Sequence, residues 1–379
     1  MKKITTKIFF ALVRSAIRGK KLSGSERELL SELDISCLVK LADKHEIAPI
    51  IVSALKENGV DTTSFDKLVF KAIYVYDRMN LEMTRLTEAF EEGEIPFIPL
   101  KGAVIRSLYP KPFMRTSCDI DVFVRESDLD KALSLLSEMC GYQIGTRGPH
   151  DVQVVASNGT HIELHFKLVE EARVGEAFEV LTRVFENAEV CDGFRYKYAM
   201  SDPFFYFYHV AHMAKHFETG GCGIRPFIVL WILDSIEEAD KEGRDKLLEE
   251  GRLLKFAERA RALSKVWLEE YEADDFSLQL EKFILNGGVF GSAENRVSLN
   301  QKKKGGRFGY FMSRVFASKD KLSGYYPILK KHPWLLPFMQ VRRWFLIFRP
   351  NVARMAKGEM RANKNVGQDM NEFFEKIGL

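Results

Sequence analysis

The segment Asp119-Ile120-Asp121-Val122-Phe123-Val124 has the alternation of a β-strand with one polar and one apolar face. Because successive side chains of a strand point to opposite faces, the residues at 120, 122 and 124 can be buried while Asp119 and Asp121 share the other face. Two carboxylates held that close repel each other unless a divalent cation lies between them. The segment therefore predicts a strand that presents a metal site, as metal-assisted phosphoryl or nucleotidyl transfer requires.

A Lys-Gly pair ends a short apolar run upstream of this strand. Lys101 and Gly102 follow residues 95–100 and precede residues 103–108, in which apolar residues have helical spacing. A strand that leads into a helix at Gly leaves backbone N–H groups able to approach a phosphate, and Lys101 and the helix dipole add positive charge. Arg115 carries a guanidinium that can bind phosphate through two hydrogen bonds. These residues predict a phosphate site, with solvated surface charge as the alternative for Lys101 and Arg115.

A third carboxylate lies on a predicted hairpin. Residues 151–166 form two alternating stretches around Asn158-Gly159, a pair suited to a two-residue turn because both positions tolerate positive φ. In the second stretch, Glu163 and His165 share the polar face. If this strand lies beside the strand with the acidic pair, Glu163 completes a cluster of three carboxylates and His165 flanks it. Orientation of a neighbouring group is the alternative role for His165.

A helix is expected to cover one face of the predicted sheet. Ser127 and Asp130 have the spacing of a capping box, and Gly141 lies just past the expected end at Cys140. A strand, a capped helix and a further strand are the ordinary components of one covered sheet face. This segment is expected to pack against the apolar face of the strand that carries the acidic pair.

Three blocks of this chain resemble the poorly characterised bacterial and archaeal family of the nucleotidyltransferase (DNA polymerase beta-like) superfamily. They are Leu100-Lys101-Gly102, Asp119-Ile120-Asp121 and Ile162-Glu163-Leu164-His165. The resemblance implies an α/β (α+β) fold class, with a small mixed sheet as the nucleotidyltransferase core between helical N- and C-terminal segments. It also implies two metal ions, Mg²⁺ or Mn²⁺, and transfer of a nucleoside monophosphate from an NTP. Better-known members carry Gly-Ser or Gly-Gly where this chain has Lys101-Gly102.

The resemblance also assigns expected roles to individual residues. Asp119, Asp121 and Glu163 are expected to be the catalytic residues and the metal ligands, with Glu163 on the metal nearer the acceptor hydroxyl. The acceptor is open: a small molecule is favoured, and RNA is possible. The alternative is a non-catalytic nucleotide-binding or membrane-associated interaction module on the same fold. The nucleotide is expected to contact four further residues: Lys101, Gly102, Arg115 and His165.

The 379 residues are enough for two or three domains. Apolar spacing, capping signals and the strand patterns divide the chain into helical and mixed parts. Four segments are expected: a helical N-terminal segment at 1–90, an α/β catalytic domain at 91–195, a helical domain lining the cleft at 196–300, and a basic, aromatic, helical C-terminal segment at 301–379.

The domain at 196–300 is expected to begin with a helix that carries three histidines on one face. Since no acidic residue has metal-ligand spacing to them, we expect this helix to form a wall of the cleft. His212, Lys215 or His216 would then touch nucleotide or acceptor. In the next helix, Arg225 and Asp234 are candidates for an internal ion pair.

Charge is unevenly distributed along the chain. Residues 300–379 hold 17 basic and 5 acidic residues, a net +12, whereas the remainder holds 39 basic and 48 acidic residues, a net −9. Residues 334–349 interleave aromatic residues with arginines. Such a stretch can bind an anionic acceptor, a nucleic acid or an anionic membrane surface. The alternative is a C-terminal helix docked on the acidic remainder of the protein.

Composition argues against several other classes of protein. No run of about 18 uncharged apolar residues occurs, so no membrane-spanning helix is expected. The apolar stretch at 8–13 is followed by basic residues and by no cleavage signal, which favours a helix packed on the domain. The five cysteines are dispersed without a C-x-x-C pair. We therefore expect reduced thiols, no disulfide partner and a cytoplasmic location.

Overall fold

The fold was determined as a computed structural model that describes residues 3–170, 174–289, 291, 297, 306–319, 322–323, 326, 328–345 and 369–379. The chain divides into two compact units. The first consists of Met1–Lys215 and Gly223–Lys282, and the second of His216–Cys222 and Phe283–Leu379.

The first unit begins with helices whose ends follow simple capping rules. Ser23 and Glu26 form a capping box at the start of the second helix, and the side chain of Asp34 caps the third. The first helix is buried from Ile8 to Val13, as expected of a helix packed on the domain. The elements are α1 (Lys3–Arg18), α2 (Gly24–Ser31), α3 (Ile35–Lys44), α4 (Ala48–Glu57), a 3₁₀ turn (Thr63–Phe65) and α5 (Asp66–Glu92).

A five-stranded sheet follows. Its order is β1-β2-β5-β4-β3, and β2 pairs with β5 in parallel whereas the other neighbours are antiparallel. The small mixed sheet predicted for the core is therefore confirmed. The elements are β1 (Phe97–Pro99), α6 (Gly102–Ile105), 3₁₀ turns (Arg106–Leu108, Pro112–Met114, Glu126–Asp128), β2 (Asp119–Val124), α7 (Leu129–Cys140), β3 (Gln143–Arg147), β4 (Asp151–Val155) and β5 (His161–His165).

One face of this sheet forms the core together with α5 and α7. Ile120, Val122 and Val124 of β2 are buried there, as the alternation of the sequence predicts. The side chains packed against the sheet include Leu86 and Phe90 of α5. A shift of β2 by one residue would move its two aspartates into this apolar layer, so burial of one face specifies the register.

A buried glutamate ties α5 to the hairpin of β4 and β5. Glu82 is fully buried and accepts hydrogen bonds from the hydroxyl of Tyr142, from Nδ2 of Asn158 at 2.7 Å and from Arg85 at 3.1 Å. A buried carboxylate is stable only when donors replace its lost water, and these three side chains supply them. The hairpin loop is therefore attached to the helix by a satisfied polar network.

Three local predictions are wrong. The hairpin loop has three residues, because Ala156 N–H donates to the Thr160 carbonyl and only Gly159 has positive φ, at 79°. No side chain caps α7, because a 3₁₀ turn precedes it, although Gly141 does end that helix in the left-handed conformation. The ion pair of Arg225 with Asp234 does not form: Arg225 pairs with Glu46, and Asp234 lies near Arg244 and Arg261.

The remainder of the first unit is mainly helical. Trp267 stacks on Phe10 with ring centroids 4.4 Å apart, and its carbonyl accepts a hydrogen bond from Arg14, so the helix that contains Trp267 packs on the first helix. The elements are α8 (Ala177–Thr182), a 3₁₀ turn (Val184–Asn187), β6 (Ala188–Val190), β7 (Tyr198–Met200), α9 (Asp202–Phe217), α10 (Arg225–Asp234), α11 (Lys241–Glu250), α12 (Leu254–Glu269) and α13 (Asp275–Gly287). The last residues of α9 and of α13 belong to the second unit. β6 and β7 form a separate two-stranded sheet.

The second unit is helical where it is described. Phe283 packs against Phe217 and Phe373, with centroid distances of 5.7 and 4.9 Å. The described helices are α14 (Gly306–Val315), α15 (Ile328–Lys331), a 3₁₀ turn (Pro333–Leu335), α16 (Leu336–Phe345) and α17 (Asp369–Ile377). The predicted basic, aromatic stretch continues to Arg349, and its residues 346–349 lie outside the described part. None of the described helices combines the length and apolar character needed to cross a bilayer.

Candidate active site

The parallel register of β2 and β5 brings acidic residues together from two strands. Asp121 lies directly beside Glu163, Asp119 beside His161, and Phe123 beside His165. Directly paired residues of neighbouring strands project on the same face of the sheet. The acidic face of β2 and the face of β5 that carries Glu163 therefore coincide, as the sequence pattern predicts.

Asp121 is the centre of the site's hydrogen-bond network. Its side chain is 4% exposed, and Oδ1 accepts a hydrogen bond from Lys101 Nζ at 2.6 Å. The same oxygen lies 2.9 Å from His165 Nε2, and Glu163 Oε2 lies 3.4 Å from that nitrogen. The predicted residues Lys101, Glu163 and His165 thus all lie around one buried carboxylate.

The donor set suits a divalent cation. One ligand atom from each of Asp121, Glu163 and His165 lies within 4.8 Å of the others. Asp119 lies on the same face of β2 and is half-buried, but it is outside that group of three. The two carboxylates can bind Mg²⁺ or Mn²⁺ through oxygen, the donor that these ions prefer, and His165 Nε2 can orient them. The residues present therefore fit a metal of the kind expected from the sequence.

The two aspartates of β2 have pKa values shifted in opposite directions. Burial and the neighbouring charge of Asp121 raise the pKa of Asp119. Burial alone would also raise the pKa of Asp121, but the ammonium of Lys101 and the hydrogen bond from His165 hold it well below its usual range. Adjacent carboxyl groups with divergent pKa values are typical of functional sites.

Lys101 has an unfavourable backbone conformation, with φ +40° and ψ −110°. Positive φ is uncommon for a residue with a Cβ and costs of order 1–3 kcal/mol. Leu100 N–H donates to the Asp121 carbonyl at 2.9 Å, which fixes the chain just before this residue. In this backbone conformation the ammonium of Lys101 lies against Asp121.

The loop after Lys101 differs from the expected phosphate-binding helix. α6 contains only Gly102–Ile105, so its dipole adds little. Gly102 is buried, and a Cβ there would lie 3.3 Å from Ser117 Oγ and 3.5 Å from Arg106 Nη2. The absence of a side chain at Gly102 therefore makes room for protein groups.

Arg115 is buried beside two further arginines. Its Nη1 donates to the Thr116 carbonyl, and among the described residues its Nε has no hydrogen-bond partner. Burial and the charge of Arg225 lower the pKa of Arg115 to about 9. Arg106 donates to Ser117 Oγ at 2.6 Å. Within the described chain, neither Arg106 nor Arg115 has a carboxylate oxygen within 4.0 Å, which leaves a buried positive region that an anion would stabilise.

The helix α9 contributes residues near the site. The hydroxyl of Tyr208 is buried without a hydrogen-bond partner in the described structure, and burial raises its pKa. Its charge interactions with Lys101 and Asp121 place it close to them.

Lys215 of α9 lies close enough to His150 to lower the pKa of that imidazole, in addition to the larger effect of burial. His209 faces the Pro226 carbonyl at 2.9 Å, and burial lowers its pKa to about 4.

Three of these residues were missed by the sequence analysis: Arg106, Tyr208 and His150. Arg106 stands within the apolar stretch after the Lys-Gly pair, where its charge is a detectable anomaly. Tyr208 is hidden in a run of aromatic residues, and His150 precedes its strand without any motif. Arg225 was noticed, but its partner Glu46 is too distant in sequence for a local pattern to reveal.

Comparison with protein families identifies the same region. A family model described as an uncharacterised nucleotidyltransferase matches residues 31–269, well over half of the chain. The chain belongs to this family. The match spans every strand of the described structure and every residue of the candidate site, and it extends beyond the blocks at 90–170 that carry the sequence resemblance. No curated protein and no solved structure shows significant similarity. Membership of the nucleotidyltransferase family supports a transferase activity, and the acidic cluster provides a possible metal site.

Replacement of Lys101 by Met tests the ion pair with Asp121. Methionine keeps the size of the side chain and leaves a buried carboxylate without its cation, so we expect Lys101→Met to lower the free energy of unfolding by about 3 kcal/mol at neutral pH. The folded-state pKa of Asp121 is below its usual value of 3.8, so this contribution is complete above that pH and declines as the pH falls below it. Urea unfolding at neutral and at acidic pH measures both effects.

Lys111→Met is the matched control, because Lys111 pairs with Glu57 on the surface at 2.9 Å and both side chains are nearly half exposed. Its expected loss is below about 1 kcal/mol. Equal losses in the two variants at neutral pH would contradict the importance of the buried pair.

Proposed function

We propose that the protein is a metal-dependent nucleotidyltransferase that transfers a nucleoside monophosphate from an NTP to a hydroxyl acceptor. The observation that carries the proposal is the direct pairing of Asp121 with Glu163, with Asp119 on the same face, in a member of a nucleotidyltransferase family. Three carboxylates on adjoining strands are the ligands that metal-assisted transfer to a hydroxyl requires.

Asp119, Asp121 and Glu163 hold the metal in this proposal. When bound, Mg²⁺ or Mn²⁺ lowers the pKa of the acceptor hydroxyl and neutralises charge that develops on the transferred phosphate and on the pyrophosphate. Glu163 is the more exposed member of its pair with Asp121, at 31% against 4%, and lies where an acceptor can reach it. His165 orients both of these carboxylates through Nε2.

Lys101, Gly102 and Arg115 form the proposed triphosphate site. Buried guanidinium groups without a carboxylate partner favour an anion, and a phosphate can accept two hydrogen bonds from Arg115. Arg106 joins this set because it lies against Gly102 and Ser117. Lys101 already neutralises Asp121, so its ammonium becomes available to a phosphate once Asp121 has another cation as partner.

Substitution of the acidic residues tests the proposed activity. We expect Asp119→Asn and Asp121→Asn each to lower the rate of NTP-dependent pyrophosphate release by more than about a thousandfold, because each removes a charge that holds the metal. The assay screens labelled NTPs against a metabolite and RNA extract with Mg²⁺ or Mn²⁺. Circular dichroism verifies that the variants fold.

Asp130→Asn is the control, since that carboxylate lies on α7 and its side chain is 93% exposed. It is expected to retain full activity. Retained turnover in Asp121→Asn would refute the assignment. NTP binding without pyrophosphate release against any acceptor would instead indicate a non-catalytic nucleotide-binding module.

Arg115→Gln tests the phosphate site separately from the metal ligands. Loss of a bidentate donor is expected to weaken binding of ATP with Mg²⁺ at least about tenfold. The free energy of unfolding is expected to fall by less than about 1 kcal/mol, because the substitution also removes a buried charge that lacks a carboxylate partner. Titration calorimetry and urea unfolding measure the two quantities.

Arg125→Gln provides the comparison, because Arg125 is an exposed arginine at the opposite end of β2. Its ATP affinity should equal that of the unmodified protein. Unchanged affinity in Arg115→Gln would remove Arg115 from the proposed site.

The acceptor is proposed to be a small hydroxyl compound, with RNA as the second candidate. A macromolecular acceptor would use the basic C-terminal segment, and its binding would weaken steeply as salt increases, because each phosphate contact releases counterions. Binding of a small acceptor would depend only weakly on salt.

A contact of the C-terminal segment with an anionic membrane surface is a further proposal. Trp334, Phe338 and Phe345 are exposed by 68, 64 and 66%, and Arg342 is exposed beside them in sequence. Aromatic and basic side chains on one segment favour the interface of an anionic bilayer. The proposal does not depend on the activity.

Co-sedimentation with phosphatidylglycerol vesicles tests this contact. A double variant, Trp334→Ala with Phe338→Ala, is expected to lose at least about tenfold in affinity. The matched control changes Phe70 and Tyr74 of α5 to Ala, which are similarly exposed. Equal sedimentation of all three proteins would refute the contact.

A further inference from the structure

A second group of potential metal ligands lies beside the carboxylate site. One ligand atom from each of His150, Asp151 and His165 lies within 4.8 Å of the others. The rings of His150 and His165 have centroids 5.6 Å apart. Neither His150 nor Asp151 belongs to the proposed nucleotidyl-transfer machinery, so the proposed function leaves this group unexplained.

The sheet positions these three residues rigidly. Asp151 of β4 pairs directly with His165 of β5, which places both side chains on one face. His150 immediately precedes β4, and its carbonyl accepts hydrogen bonds from the N–H groups of Phe166 and Lys167 at 3.0 and 3.2 Å. The backbone on both sides of the group is therefore fixed by strand pairing.

One ring nitrogen of His165 is available as a ligand beside His150 and Asp151. Nε2 lies 2.9 Å from the ionised carboxylate of Asp121, and because a carboxylate only accepts, Nε2 must carry the hydrogen. Nδ1 is then the ring nitrogen left for a metal, and a metal that binds there displaces any proton that Nδ1 carries. His165 is 2% exposed, and among the described residues Nδ1 has no hydrogen-bond partner. A carboxylate bonded to the far nitrogen of a histidine is the usual support for a metal-binding imidazole.

Local charge permits a cation here. Asp151 contributes a negative charge 3.7 Å from His150 Nε2, and Glu170 contributes another 3.8 Å from His150 Nδ1. Lys215 adds one positive charge near His150. The two carboxylates outweigh this single ammonium, so a dication can be accommodated.

We propose that His150, Asp151 and His165 form a second metal site that binds a transition-metal dication such as Zn²⁺ or Co²⁺. Two imidazole nitrogens and one carboxylate oxygen suit these ions better than Mg²⁺, which prefers oxygen ligands. Three protein ligands leave a coordination position for water or another small ligand. The site shares His165 with the carboxylate cluster, through the opposite ring nitrogen, and it does not require nucleotidyl transfer to occur.

Titration of the EDTA-treated, full-length protein with Co²⁺ in excess Mg²⁺ tests the site. Mg²⁺ occupies the carboxylate cluster, and bound Co²⁺ is followed by its visible absorption. We expect a saturable band in the unmodified protein and an affinity at least about tenfold weaker in His150→Gln and in Asp151→Asn. His161→Gln is the matched control, because His161 is exposed at the other end of β5, and it is expected to bind Co²⁺ normally.

Two results would overturn the proposal. One is a Co²⁺ titration of His150→Gln that matches the unmodified protein. The other is a Co²⁺ band that appears without Mg²⁺ and is absent in excess Mg²⁺, which would mean that only the carboxylate cluster binds Co²⁺. A rise in melting temperature with Zn²⁺, absent in His150→Gln, is a second readout if Asp151→Asn does not fold. Because no nucleotide is present, failure here is distinct from failure of Asp121→Asn to abolish transfer.

Discussion

The parallel pairing of β2 with β5 determines which side chains meet at the candidate site. The pairing itself is held by the apolar face of the sheet, since the buried residues of both strands pack on α5 and α7. In a sheet with one buried face, the hydrophobic pattern selects one register, and the polar side chains follow from that choice. The juxtaposition of Asp121 and Glu163 is thus a consequence of the core packing of the residues directly before and after each of them.

The site combines an excess of negative charge on the sheet with an excess of positive charge beside it. Lys101 joins the two by pairing with Asp121, whereas Arg106 and Arg115 remain buried without carboxylate partners in the described chain. Such a separation is unfavourable in the isolated protein, because buried charges lose their hydration. In the proposed function, an NTP with its metal supplies both an anion and a cation, and binding of the two together offsets this cost. The buried charges of the site therefore suit a ligand that carries both signs of charge.

Much of this arrangement follows from local patterns in the sequence. The alternation in residues 119–124 and in the predicted hairpin gave the correct buried faces, and the shared motifs gave the correct family and fold class. Alternation of apolar and polar residues along a strand determines which face of the sheet each side chain occupies, but it does not specify contacts with distant segments of the chain. The pairing of Arg225 with Glu46 and the contact of Gly102 with Arg106 depend on how the helices pack. Loop length also escaped prediction, because Asn158-Gly159 is compatible with more than one turn.

The buried carboxylate of Glu82 has a consequence for how the protein tolerates change. Its partners lie on α5, directly before β3 and in the hairpin loop. Loss of that carboxylate would release the tip of the hairpin, whose second strand carries Glu163 and His165. A substitution at Glu82, on the apolar side of the sheet, can therefore alter the positions of the β5 ligands without contacting them.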